Sequence, residues 1–330
     1  MTGQIRLSIA HERWPLKAPF RFTGYRIDVL DTVCVRLERD GVAGRGEGVP
    51  PVVFDVTAEA VIADIESARR DIEAGIDRQA LQGLMPRGAA RNAVDCALWD
   101  LEAKASGRTI WDMAGIDPVR SLEIDLSLGL ASPAAMADAA RAASRTWRVL
   151  KIKLDGEQIV ERIAAIRAAA PDASLLVDAN MAWDISTLRA VAGDLAALGV
   201  AMIEQPLPAG ADSELAGFAS PVPIFADESC HDRTDLDAVA GRYSGVNIKL
   251  DKAGGLTEAL ALARAAQRSG LGLMVGCMAG TSLSMAPGFV IGALSQWRDL
   301  DGPLLLRDDR TPGMVYRDGM LQAFEPILWG

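Results

Sequence analysis

Only two histidines, His11 and His231, occur in this chain of 330 residues, so imidazole chemistry has almost nothing to draw on. His231 follows Asp227-Glu228-Ser229-Cys230 and reads as a polar loop residue. The four cysteines, Cys34, Cys96, Cys230 and Cys277, are scattered without paired spacing. That excludes a disulfide framework and a zinc motif, and it fits a reduced, cytoplasmic chain. No run of about 18 apolar residues exists to span a bilayer. The stretch MTGQIRLSIAHERWPL lacks the cationic start and apolar core of a signal peptide. Positive charge is short as well: 34 Lys and Arg stand against 44 Asp and Glu, a formal net charge of −10. Such a balance argues against nucleic-acid and anionic-membrane partners. Neither an internal repeat nor a low-complexity linker is found.

Half the residues are hydrophobic, enough for a substantial core in one large domain or two unequal ones. Residues 4–49 read as a β-meander. Thr32–Glu38 alternates, and Asp40-Gly41 follows as a hairpin turn. Gly44-Arg45-Gly46-Glu47-Gly48 does not match a phosphate-binding glycine motif and reads as a returning strand with close backbone approaches. Residues 18–26 and 49–54 read as two loops carrying bulky side chains. Thr57 caps a helix running to about Ala74. Val94, Ala97, Leu98, Leu101 and Ala105 form the apolar stripe of a second helix that Gly107 ends. A boundary falls near Gly115-Ile116-Asp117-Pro118.

Beyond residue 120, short apolar strands alternate with helical stretches, the pattern of βα units and a parallel sheet. The strands are Leu122–Leu128, Val149–Leu154, Leu175–Asp178, Ala201–Glu204, Ile224–Asp227, Val246–Leu250 and Leu271–Gly276. Ionisable residues close five of them. Lys153 to Asp178 is 25 residues, then 26 to Glu204, 23 to Asp227 and 22 to Lys249. Each interval suits one βα step, and a closed barrel gathers the C-terminal strand ends on one rim.

Three carboxylates facing one point repel each other unless a cation or a proton intervenes. A hard divalent ion with oxygen ligands is the simplest resolution, which makes Asp178, Glu204 and Asp227 candidate ligands of Mg²⁺. Lys153 and Lys249 flank that set, two strands before and two after Glu204. A substrate carboxylate on the metal would present its α-carbon between them. One lysine would take the α-proton, giving an enediolate, and the other would return a proton to the opposite face. The outcome is racemisation or epimerisation. Lys151 shares the face of Lys153 and, as a like charge, is expected to hold the pKa of Lys153 down. The competing account of these groups is a salt-bridge network without chemistry.

Lys151-Ile152-Lys153, Val177-Asp178-Ala179-Asn180, Glu204-Gln205-Pro206, Ala226-Asp227-Glu228-Ser229 and Asn247-Ile248-Lys249-Leu250-Asp251-Lys252 resemble, in order and spacing, the muconate-lactonizing-enzyme subgroup of the enolase superfamily. Ala97-Leu98-Trp99-Asp100-Leu101, with Lys104 and Gly107, is similar to the helix of that family's capping domain. The resemblance covers nearly the whole chain. It implies an α/β fold, a modified (β/α)₇β TIM-like barrel with an N-terminal α+β capping domain completed by the C-terminal segment. Residues 1–117 would form the cap, 118–307 the catalytic barrel, and 308–330 a segment returning to the cap.

Asp299-Leu300-Asp301-Gly302-Pro303 is similar to the Asp-x-Asp element of dipeptide epimerases, whose two carboxylates hold the free α-ammonium of the substrate. Gly276-Cys277-Met278 also resembles that group and adds Met278 as a substrate contact. The resemblance therefore implies a Mg²⁺-dependent isomerase that epimerises a dipeptide. N-acylamino acid racemases, o-succinylbenzoate synthases and cycloisomerases of the subgroup use the same lysines and metal, and a catalytically silent barrel acting as a binding protein is the non-enzymatic alternative. Arg26, or else Arg21, could pair with an acidic substrate side chain. Partners are expected to be small molecules, dipeptide or N-acylamino acid, and a homo-oligomer is compatible with the sequence.

Overall fold

The computed structural model describes residues 4–330, and its first layer is an antiparallel meander: β1 (Arg6–Phe22), β2 (Tyr25–Arg39) and β3 (Val42–Gly48). Asp40 and Gly41 turn β2 into β3 with φ of 51° and 80°, as a two-residue turn of that hand requires. Residues 18–26 are not the loop expected of them. Phe20, Arg21 and Phe22 pair with Ile27, Arg26 and Tyr25, so the first hairpin runs to a two-residue tip at Thr23-Gly24. The aromatic residues there favour the pleated surface, and Gly24 supplies the positive φ. Residues 49–54 end in a short 3₁₀ turn, Val52–Phe54.

Thr57 caps the helix Ala58–Ser67 by accepting from the amide of Ala60, and a separate turn of helix, Arg69–Glu73, continues it. The long helix Ala89–Ser106 buries Val94, Ala97, Leu98 and Leu101 and stops at Gly107 in the left-handed conformation. It lies directly on β3. A Cβ on Gly44, Gly46 or Gly48 would meet the carbonyl oxygen of Ala97, Ala93 or Ala89 at 2.1–2.3 Å. Two strand residues and four helix residues both advance about 6–7 Å, so every second glycine meets every fourth helical residue.

Next come β4 (Ser121–Glu123), β5 (Asp125–Leu128), β6 (Val149–Lys153), β7 (Ser174–Asp178), β8 (Val200–Glu204), β9 (Ile224–Ala226), β10 (Gly245–Lys249), β11 (Gly272–Gly276), β12 (Trp297–Arg298), β13 (Tyr316–Arg317) and β14 (Met320–Gln322). β5 to β12 form one eight-stranded parallel sheet in chain order, with helices between successive strands. The expected strand Leu122–Leu128 is two strands, because the chain changes partner at the buried Ile124. β4 pairs antiparallel with β14, and β5 pairs with β6.

Inside the barrel, Val149, Leu176, Met202, Phe225 and Met274 form an apolar floor. Two residues further along the same strands come Lys151, Asp178, Glu204, Asp227 and Gly276. Period two therefore sets the chemical groups one layer above an apolar plug. The C-terminal residues reach the cap helix: Trp329 Nε1 donates to the Cys96 carbonyl at 3.0 Å, and the Gly330 amide donates to Asp100 Oδ1 at 2.6 Å. No helix of the described residues is long and apolar enough to cross a membrane.

Candidate active site

β6 and β10 stand four strands apart in the ring of eight, so Lys153 and Lys249 arise from opposite sides of the mouth. Both line one pocket at that mouth, together with Ser127, Asn180, Glu228 and Asp299. Lys153 Nζ lies 2.5 Å from Asp178 Oδ2 and 5.7 Å from the centroid of the Phe22 ring, which the first hairpin holds over it. Lys249 Nζ lies 2.7 Å from Asp227 Oδ2.

Asp178 and Glu204 end β7 and β8, Asp227 directly follows β9, and all three are all but inaccessible. Lysines meet each of them. Lys151 bridges Glu204 Oε2 at 2.8 Å and Asp178 Oδ2 at 3.3 Å, and Lys252 reaches Asp227 Oδ1 at 2.6 Å. Asn247 Nδ2 donates to Glu204 Oε1 at 2.7 Å. Among the described residues, Glu204 Oε2 and Asp227 Oδ1 nevertheless make no directed hydrogen bond, and neither does the buried Asn180 Oδ1. A donor set of anionic and amide oxygens, without imidazole or thiol, fits a hard divalent cation such as Mg²⁺.

Lys151 was expected to press on Lys153 as a bare like charge. Instead its fully buried ammonium is 2.6 Å from Asp299 Oδ2, in addition to Glu204 and Asp178. Burial alone would lower its pKa, but Asp299, Glu204, Asp178 and Asp125 outweigh burial and hold it well above the ordinary lysine value. These carboxylates neutralise the charge that was to have acted on Lys153.

Around the mouth, seven carboxyl groups (Asp125, Asp178, Glu204, Asp227, Glu228, Asp299, Asp301) face four lysines (151, 153, 249, 252), all buried. The acidic surplus appears as raised pKa values. Burial and then Asp178 push Glu204 to about 7. Burial and then Asp227 push Glu228 to about 8, and burial and then Asp299 push Asp301 to about 7. Asp178 shows the opposite balance: burial would raise it, but Lys153, Lys151 and Lys249 hold it at about 2.

Among the described residues, the group of three acidic or thiol ligand atoms drawn within 4.8 Å of one another is Cys277, Asp299 and Asp301. This cluster sits at the seam between β12 and β5, where the Ser127 amide donates to Asp301 Oδ2 at 2.7 Å. Met278 lines the pocket beside it. Arg26 is not brought to the pocket. Phe20, Phe22 and Ile27 face inward, and alternation turns Arg21 and Arg26 to the opposite side of the hairpin. There Arg26 grips the exposed Asp28 at 2.8 Å.

Asp125, Glu228, Asn247 and Lys252 have no role that the sequence alone assigns. Glu228, Asn247 and Lys252 stand inside the strand-end motifs already quoted, so their positions were visible but their inward aim was not. Asp125 carries no such signal, because it opens β5, which the local pattern does not separate from β4.

Two family models match the chain: "Mandelate racemase / muconate lactonizing enzyme, N-terminal domain" over residues 4–115, and "Enolase C-terminal domain-like" over residues 134–326. The L-Ala-D/L-Glu epimerase of Escherichia coli (strain K12) is 43% identical over 319 residues, covering 96% of this chain and 98% of that one. An N-acetyl-D-glutamate racemase of Pseudoalteromonas sp is 42% identical over 289 residues, covering 87% and 91%. A crystal structure of an enolase family member from Agrobacterium tumefaciens, described as homologous to dipeptide epimerases and holding sodium and L-Ala-L-Glu, superposes with a TM-score of 0.96. It is 42% identical and covers 99% of this chain and all of that one. Family models over both parts of the chain and a relative 43% identical along nearly its full length agree, and the chain belongs to the mandelate racemase/muconate lactonizing enzyme family of the enolase superfamily.

Proposed function

We propose that the chain is a dipeptide epimerase that inverts the α-carbon of the second residue of a dipeptide with a free N-terminus, L-Ala-D/L-Glu being the first candidate. The carrying observation is the acidic pair Asp299 and Asp301 beside the pocket that Lys153 and Lys249 line from opposite sides. Two anions suit one desolvated α-ammonium, which an N-acyl substrate does not have.

In this reading Asp178, Glu204 and Asp227 hold Mg²⁺. When bound there, such an ion would supply positive charge beside the substrate carboxylate. Lys153 takes the α-proton from one face. Lys249, kept protonated because Asp227, with Glu204 and Glu228, outweighs burial and the nearby Lys151, delivers a proton to the other face, and the roles exchange in the reverse direction. Phe20, Phe22, Ile27 and Met278 wall the pocket with apolar surface and keep bulk water from the exchanging protons. Because no arginine among the described residues lines that pocket, hydrophobic dipeptides belong in the same assay.

The second reading, racemisation of an N-acylated amino acid such as N-acetyl-glutamate, draws on the 42% identical Pseudoalteromonas racemase. Proton NMR in D₂O with Mg²⁺ separates the two. Loss of the α-proton signal from the glutamyl residue of L-Ala-L-Glu is expected. Exchange confined to N-acetyl-glutamate would overturn the dipeptide reading. Asp301→Asn should depress exchange of the dipeptide by about tenfold or more while leaving N-acetyl-glutamate nearly unchanged, the scale of losing one charge-assisted hydrogen bond.

A further inference from the structure

We propose that Asp125 is a specificity-determining positioning residue: a third carboxyl group of the amine subsite, set at the barrel seam behind Asp299 and Asp301, that biases the site toward substrates carrying a free α-ammonium. The proposal rests on the dipeptide reading and extends it to a residue outside the Asp-x-Asp pair.

Asp125 stands opposite Val149 in the β5–β6 ladder, one step below the pair Ser127 and Lys151. It therefore shares the interior face with Ser127, whose amide holds Asp301. The residue is 1% exposed, yet among the described residues neither of its carboxylate oxygens has a hydrogen-bond partner. A buried polar group without partners is costly, and a leucine or valine would fill this interior position without that cost. The charged groups that act on it most strongly are Asp299 and Asp301, both repulsive, followed by Lys151. Burial and those two aspartates push its pKa well above the carboxylate range. Lys151, the one cation paired with this cluster among the described residues, is already shared with Glu204 and Asp178.

Lys151 pairs with Asp299 alone of the three, so the cluster holds more acidic groups than one ammonium offsets, and a second ammonium makes up the deficit and favours the charged form of Asp125. A dipeptide with a free N-terminus brings that charge, whereas the same molecule without its amine does not. Asp125 thus adds to the difference between the two affinities rather than to binding in general. Asp299 and Asp301 touch the substrate in this arrangement, and Asp125, absent from the pocket wall, acts through them.

The test compares L-Ala-L-Glu with N-propanoyl-L-glutamate, the same skeleton lacking the amine, in the Mg²⁺-loaded wild type and in Asp125→Leu and Asp125→Ser. In both variants KM for L-Ala-L-Glu is expected to rise about tenfold with kcat within about twofold. Tenfold is about 1.4 kcal/mol, well below the full interaction of two adjacent charges, as suits a group that acts through Asp299 and Asp301. N-propanoyl-L-glutamate should be turned over no worse than by wild type, so the ratio of the two kcat/KM values narrows about tenfold. Should Asp125→Leu fail to fold, Asp125→Ser, which fills less space and keeps a polar group, carries the comparison. A wild type active on the dipeptide with an unmoved ratio in the variants overturns this inference alone. So does an equal loss on both compounds, which marks a merely structural residue. A wild type that turns over neither compound overturns the dipeptide reading and this inference with it.

Discussion

Lys151 Nζ lies 2.6 Å from Asp299 Oδ2, and this contact ties the proposed metal ligands to the proposed amine subsite. The same ammonium meets Glu204 at 2.8 Å and Asp178 at 3.3 Å, so one buried charge serves two sites. Removing it leaves carboxylates from both sides without their cation. Lys151→Ala should therefore cost about 3–5 kcal/mol of stability, the usual range for breaking a buried ion pair. Urea denaturation would check this, and a loss below about 1 kcal/mol would show that the pairing is not stabilising.

Lys153 presents the contrast. Its side chain is 11% exposed and paired with one carboxylate, so Lys153→Ala should leave stability within about 1–2 kcal/mol of wild type, the ordinary range for point substitutions. Its effect belongs to proton transfer. Exchange of the α-proton should fall about 10²–10⁴-fold from one epimer of the substrate, and Lys249→Ala should do the same to the other. Proton NMR in D₂O, started separately from L-Ala-L-Glu and L-Ala-D-Glu, distinguishes the faces. Equal loss from both epimers in both variants would reject the assignment of one lysine to each face.

Chelation should abolish activity, and Mg²⁺ should restore it. Because the ion binds the folded chain, the melting temperature should climb with Mg²⁺ concentration, by an amount equivalent to about 2.7 kcal/mol at a hundredfold excess over Kd. In Glu204→Gln that rise should shrink or vanish. Full activity in EDTA with an unshifted melting curve would remove the ion from the site.

Away from the mouth, Asp95 gives a pH dependence with a definite sign. It is fully buried in the cap helix and accepts from the Thr257 amide at 2.9 Å and Gln82 Nε2 at 3.0 Å. Burial, more than those hydrogen bonds offset, raises its pKa from 3.8 to about 6. Between these values the folded state binds more protons than the unfolded one, so stability falls as pH rises from about 4 to 6 and is level on either side. The stability of wild type relative to Asp95→Asn should drop by up to about 3 kcal/mol across that interval, at 1.36 kcal/mol per pKa unit. Denaturation curves at pH 4 and pH 6.5 measure it, and a constant or growing difference would contradict the shift.

Much of the fold was written in local periodicity. The β2–β3 turn at Asp40-Gly41, the Thr57 cap, the glycines of β3 and the spacing from Lys153 to Lys249 each follow from rules spanning a few residues or one βα step. They held because the backbone meets the same constraint wherever the segment lies. The rim of charged strand ends was legible for that reason, and with it the resemblance to the enolase superfamily. Tertiary packing decided which partners those groups chose. Lys151 faces Asp299, 148 positions away, and only closure of the barrel at the β12–β5 seam brings the two together. The same closure buries Asp125 behind Asp301 and splits the expected strand Leu122–Leu128 between two sheets. At the first hairpin, extended pairing through Phe22 and Tyr25 turns Arg26 away from the pocket. The sequence by itself thus determined which residues end the strands, through a period each strand carries alone. Only the tertiary structure decided which charges neutralise one another, because burial in a closed ring makes every unpaired charge seek the nearest partner in space.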